Sequence, residues 1–152
     1  MGKDAENVLR ISNLEFFQVV EDYLTEIRSV KIRIKGSSML PFLKNGDQVD
    51  LESINFQKFG IGEIVLARWK EGYVLHRIVL IGKQYIYLAG DNNLFQIEKV
   101  KPDSIIAKVG GANRDDASMP VTGIRSRILG MSWFLLRPAR WLVYKMNKIT
   151  KK

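Results

Sequence analysis

From Val30 the chain changes period. Val30, Ile32 and Ile34 alternate with Lys31, Arg33 and Lys35, the pattern of a strand with one face buried and one in water. Further strand-like runs follow at 48–51, 63–69, 73–81, 84–89 and 105–109. Turn chemistry separates them: Lys44-Asn45-Gly46-Asp47, Gly60 and Gly62, Glu71-Gly72, Gly82-Lys83 and Gly90-Asp91-Asn92-Asn93. So many short strands at close spacing require a compact, mainly β core. The two ends read differently. Residues 14–27 place Phe16, Val19, Val20, Tyr23, Leu24 and Ile27 at helical spacing, with Glu21, Asp22 and Glu26 opposite. Ser12 or Asn13 can cap this helix, and Glu15 supplies early negative charge. Residues 110–123 are polar and Gly-rich and read as a linker loop. Beyond them Trp133, Phe134, Trp141 and Tyr144 mix with basic residues, and Pro138 is expected to break or kink any helix there. The expected divisions are an amphipathic helix in 1–29, a β domain in 30–109, a linker in 110–123 and a basic aromatic helical tail in 124–152.

The 152 residues carry 24 Lys and Arg against 16 Asp and Glu, a net charge of +8. That excess is local. Residues 125–152 hold eight basic residues and no acidic one, so the remainder is balanced. A basic aromatic tail suits a membrane surface or an acidic partner. The plainer reading packs its apolar residues on the β domain or on a second copy. Nucleic acid is a poor candidate, because the charge is confined and no binding motif accompanies it. With no cysteine and only His76, disulfides, thiolate sites and multi-His metal sites are excluded, and no metal or cofactor is expected. No apolar run approaches the roughly 20 residues that span a bilayer as a helix. The polar start lacks the apolar stretch of a secretory signal. The expected location is the cytoplasm, with peripheral attachment at the inner membrane face as the extension of the tail reading.

Three segments carry reactive side chains. They are Gly36-Ser37-Ser38-Met39-Leu40-Pro41, Tyr73-Val74-Leu75-His76-Arg77 and Gly90-Asp91-Asn92-Asn93. Together they supply a hydroxyl on a tight turn, an imidazole on a strand and an acid on a turn. A serine needs an adjacent base to become a nucleophile. Histidine can take the proton and return it to a leaving amine. A carboxylate can hold the ring in the required tautomer. Each part alone is more often structural than catalytic.

Their order and flanks add information. Gly-x-Ser-Met-x-Pro, then Asn45-Gly46-Asp47, Gly62-Glu63-Ile64-Val65, His76-Arg77-Ile78-Val79 and Gly90-Asp91-Asn92 resemble the signal peptidase I family. More broadly they resemble the superfamily shared with self-cleaving LexA-type repressors. The likeness covers roughly residues 32–109. It implies a mostly β, coiled-sheet domain that cleaves a peptide held as an extended strand; the N-terminal helix and the helical tail are added by this chain's own pattern. It implies Ser38 as nucleophile and His76 as general base, where bacterial members carry lysine and the endoplasmic-reticulum type carries histidine. Asp91 is the first choice for the orienting acid. Glu98 is the second, one residue beyond the position at which the endoplasmic-reticulum type places its acid. Gly36, Ser37, Met39 and Pro41 form the expected substrate and oxyanion segment. Many signal peptidases carry serine at the Gly36 position, so here the oxyanion hole would rest on backbone N–H groups, chiefly that of Ser38.

The family's transmembrane anchor would precede the Ser-Met motif, where this chain has the amphipathic 14–27 segment. The 37 residues before Ser38 are too few for a repressor's DNA-binding domain and cleavage segment. The expected function is a serine endopeptidase that processes a peptide or leader segment. The alternative is a peptide-binding module of the same fold that does not cut.

Overall fold

The computed structural model describes residues 13–26, 28–54 and 59–150. Eight strands form a single antiparallel sheet: β1 (Ser29–Arg33), β2 (Gln48–Ser53), β3 (Ile64–Trp69), β4 (Gly72–Ile81), β5 (Ile86–Ala89), β6 (Glu98–Val100), β7 (Ile105–Arg114) and β8 (Ala117–Ser118). Their order is β1-β2-β7-β3-β4-β5-β6, with β8 pairing β7. The sheet curls, so that β3 meets β6 although β4 and β5 lie between them in the order. The expected coiled, mainly β architecture is therefore present.

β3 shows why the sheet holds together. Four consecutive residues, Ile64 to Ala67, are buried. Alternate side chains enter two cores on opposite faces. Ile64 and Leu66 join Ile32, Leu51 and Val109, beneath the N-terminal helix. Val65 and Ala67 join Ile78, Leu88 and Val100 inside the curl. Each buried Val, Leu or Ile among them contributes roughly 1.5–3 kcal/mol.

The helix α1 (Asn13–Glu26) closes the first core. It does so with Val20 and Leu24, and with Phe17 partly buried, while Phe16, Val19 and Tyr23 are exposed. The packed face is thus turned from the stripe anticipated on spacing. Glu21 fixes the rotation, because Arg68 and the Tyr73 hydroxyl both donate to its carboxylate. Ser12 and Ile27 lie outside the described residues.

Residues 110–123 are not a linker. β7 runs on to Arg114, pairing Gly111 with Asp50, Ala112 with Val49 and Asn113 with Gln48. Gly110 is the extra residue of a β-bulge, since Leu51 pairs with Val109 and Asp50 with Gly111. Asp115 and Asp116 both have positive φ (48° and 64°), and they form the two-residue turn into β8. Arg114 then binds both oxygens of the buried Asp47, at 2.8 and 2.7 Å, tying the loop before β2 to the end of β7.

After β8 come α2 (Gly123–Leu135) and α3 (Arg137–Ile149). Pro138 sits in the first turn of α3, where its missing N–H leaves no helical bond unmade. Among the described residues no helix is long and apolar enough to cross a membrane.

Candidate active site

β4 has two different halves. Residues 72–77 pair with β3, whereas β5 pairs only from Arg77 onward. The edge from Tyr73 to His76 is therefore open on the side away from β3. Neighbouring side chains on a strand point to opposite faces, so His76 and Arg77 serve separate sites.

His76 is buried, and its Nδ1 lies 2.9 Å from Oε2 of Glu98 on β6. An ionised carboxylate only accepts, so the ring donates from Nδ1 and keeps the Nε2 lone pair free. Glu98 is fully buried. Its other oxygen accepts a hydrogen bond from Gln96 Nε2 at 2.8 Å. Both carboxylate oxygens are thus engaged, as burial of a charge requires.

Ser38 reaches the same place from the loop after β1. Gly36 turns the chain there with φ 108°, a conformation that favours glycine and would strain serine. Its N–H donates to Asn45 Oδ1 at 3.1 Å. The Ser38 carbonyl accepts from Asn92 N–H at 2.8 Å, which clamps the loop to the 90–93 turn. Gly90 lies at the junction. A Cβ there would stand 2.7 Å from the Ser38 carbonyl oxygen and 3.0 Å from His76 Nε2. The missing side chain allows serine and imidazole to share this point. Among the described residues Ser38 Oγ makes no hydrogen bond to the ring, and the Ser38 N–H has no partner. Catalytic hydrogen bonds commonly tighten only when substrate is bound.

Both side chains line a cleft of about 510 Å³. Ile32, Arg33, Ile34 and Lys35 form one wall, Tyr73 to His76 the other, and Met39 and Leu43 part of the floor, with Phe16 and Phe17 at the helix side. β1 is an edge strand. Ile34 bonds towards β2: its N–H donates to the Asp47 carbonyl, and its own carbonyl accepts from Gly46 N–H, both at 2.9 Å. By alternation Arg33 and Lys35 turn their backbone groups away from β2. The cleft is bounded by two unpaired strand edges, a geometry that accepts an added extended peptide.

Asp91 does not hold the histidine. Arg77 takes both its oxygens, Nε to Oδ1 at 2.8 Å and Nη2 to Oδ2 at 2.7 Å. Arg77 also donates to the Gly62 carbonyl at 2.7 Å and lies against the Phe42 ring. The cause is strand alternation: the acid on the 90–93 turn meets the Arg77 face of β4, and the acid on β6 meets the His76 face. Burial pushes the Asp91 carboxyl above its ordinary range, while the Arg77 bonds pull it back.

The C-terminal helices brace this region. Trp133 Nε1 donates to the Asp91 carbonyl at 3.0 Å. The buried Arg137 reaches the Gly90 and Gln96 carbonyls, each at 3.4 Å. Gly130 of α2 lies directly over the Arg77 guanidinium, leaving no space for a side chain. α2 and the first turn of α3 are therefore attached to the back of the site rather than separate from it.

Of the residues anticipated from sequence, Gly36, Ser38, Met39 and His76 meet in the cleft. Ser37 and Pro41 are exposed outside it, and Met39 is mainly a core residue. Gln96, Trp133 and Arg137 were not anticipated. Only Gln96 had a signal, standing two residues from Glu98 and hence on the same side of an extended chain. Among the described residues no acidic or His cluster could hold a metal ion. The sequence matches the family model described as Peptidase S24-like over residues 2–110, which contains every segment of the cleft. Comparison with curated proteins gives no match.

Proposed function

Because this chain belongs to the Peptidase S24-like family, we propose that it is a serine endopeptidase with Ser38 as nucleophile, His76 as base and Glu98 as orienting acid. The observation that carries this reading is the His76 Nδ1–Glu98 Oε2 bond of 2.9 Å, which leaves Nε2 free on a ring that shares the neighbourhood of Gly90 with the Ser38 backbone. A substrate strand adds to the open edges of β1 and β4, and its scissile carbonyl meets Ser38. His76 Nε2 takes the Oγ proton as the C–O bond forms. The Ser38 N–H is the donor available to the resulting oxyanion. His76 then protonates the leaving amine, the C–N bond breaks, and an acyl-serine remains. Water, deprotonated by the same ring, releases the acid product and restores Ser38. Throughout, Glu98 stabilises the imidazolium without taking its proton.

The substrate class we propose is a leader or signal-like segment in an extended conformation, cut at the cytoplasmic side of the membrane. The open strand edges support the extended conformation. The Ser-Met and Gly-Asp-Asn motifs support the leader assignment. The test incubates the full chain with a diverse peptide library and reads new termini by mass spectrometry. Cleavage by the wild type that is lost in both Ser38→Ala and His76→Ala is the expected result. Cleavage that survives Ser38→Ala refutes the nucleophile assignment. Peptide retention without cleavage, in wild type and variants alike, assigns the cleft to binding alone.

A further inference from the structure

α3 does not pack as an ordinary surface helix does: of its residues only Arg137, in the first turn, is buried. Such helices bury their apolar stripe and expose their charges. Here Arg137, on the charged side, is buried against the domain, and Arg140 stacks on Trp133 of α2 at 4.2 Å. Leu142, Val143, Met146 and Ile149, at i, i+1, i+4 and i+7, share the opposite side, and each is more than half exposed. α2 continues the pattern. Its small residues Ser126 and Gly130 are buried, while Ile128 and Leu135 are 60% and 71% exposed. Nothing in the protein covers this surface among the described residues.

Charge identifies what does. Residues 124–152 contain no Asp or Glu; Arg125 is exposed on α2, Lys145 borders the apolar side of α3, and Lys148 is exposed on the Arg137 side. A second copy would bring the same positive charge against this surface, which opposes self-association. An anionic bilayer supplies both requirements, an apolar layer and negative headgroups. We propose that α2 and α3 together form an interfacial membrane-binding surface. α3 lies in the plane of an anionic membrane, with Leu142, Val143, Met146 and Ile149 below the headgroups and Lys145 and Lys148 reaching back to them. Long basic side chains bury their stems in this way while the charge stays at the headgroup level.

The test is co-sedimentation of the full chain with vesicles of phosphatidylcholine alone and of phosphatidylcholine with phosphatidylglycerol. The chain should pellet with the second and stay in solution with the first. Leu142→Gln with Met146→Gln should reduce partitioning roughly tenfold or more, since two apolar side chains no longer enter the bilayer. Lys145→Gln with Lys148→Gln should give a comparable loss, and added salt should mimic it. These side chains are exposed, so unchanged thermal melting is expected and serves as the folding control. The proposal is overturned if the wild type stays in solution with anionic vesicles, or if the Leu142/Met146 variant pellets as fully as the wild type. A dimer seen in sedimentation velocity and abolished by the same apolar variant, without vesicle binding, would give the surface to a second copy instead.

Discussion

Replacing Gly90 by alanine drives a methyl group against both the Ser38 backbone and the His76 ring, whose relative placement the proposed mechanism depends on. The new Cβ would lie 2.7 Å from the Ser38 carbonyl oxygen, 2.7 Å from Asn93 Nδ2 and 3.0 Å from His76 Nε2. The first contact is roughly 0.7 Å short of the 3.4 Å at which ordinary van der Waals contact begins. Asn93 is a side chain and can rotate away. The Ser38 oxygen belongs to the backbone and is held by Asn92 N–H, so it moves only with its loop. Gly90 does not occupy the positive-φ region, so the substitution acts as a steric wedge and not through backbone strain. Misplacing a reacting group by about an ångström costs on the order of 10²-fold in rate, or about 2.7 kcal/mol of barrier. Overpacking costs about 1–3 kcal/mol of stability. The assay is kcat/KM on a peptide found in the library screen, with thermal melting of the same preparation. The expected result is a loss of about 10²-fold in kcat/KM with the protein still folded. Wild-type activity at an unchanged melting temperature would refute the claim that serine and imidazole meet at Gly90.

The two acids should separate cleanly. Glu98→Gln removes the charge that favours the imidazolium and frees the ring tautomer, so kcat should fall roughly 10²–10⁴-fold, read by steady-state kinetics across a pH series. Asp91→Asn leaves the fully buried Arg77 guanidinium without its counter-charge and should cost about 3 kcal/mol in urea unfolding. Trp133→Phe removes the indole donor to the Asp91 carbonyl and should cost about 1 kcal/mol in the same measurement. Arg114 beside Asp47 holds that carboxyl below 3.8 in the folded state. A depressed carboxyl stabilises the fold fully above its unfolded value, and that contribution disappears as pH falls through the lower folded value. Thermal melting from about pH 6 down to pH 2 should therefore decline steeply at the acid end for the wild type, and less steeply for Arg114→Gln.

The sheet was legible where side chains alternate, as in β1, and where turn residues bound a strand-favouring run, as in β4. It was not legible at β6. Ile97, just before it, is exposed and Glu98, its first residue, is buried, the reverse of what hydropathy demands. The bond to His76 reverses the phase, and that partner lies 22 residues away in sequence. The choice between Asp91 and Glu98 turned on the same long-range fact. Spacing along the chain cannot say which face of β4 a turn will meet. Gly110 and Gly111 resemble linker residues in sequence, whereas they lie at the bulge where β7 goes on pairing with β2. Ser38 and His76 were visible because their motifs are local. The attachment of α2 to the back of the site was invisible, since it depends on one indole N–H, one arginine and the absence of a side chain at Gly130.

The open edge of β1 carries a liability as well as an opportunity. Unpaired strand edges do not distinguish a peptide from the edge of another molecule of the same protein, and uncapped edges promote aggregation. On β1 and just beyond it Lys31, Arg33 and Lys35 all point into solvent. Two such edges brought together would align like charges along their length, so each molecule repels its own kind at the place where it is most adhesive. A strand with neutral or acidic side chains meets no such barrier. The same charges that oppose edge-to-edge pairing would also bias a strand-binding cleft against lysine- and arginine-rich segments.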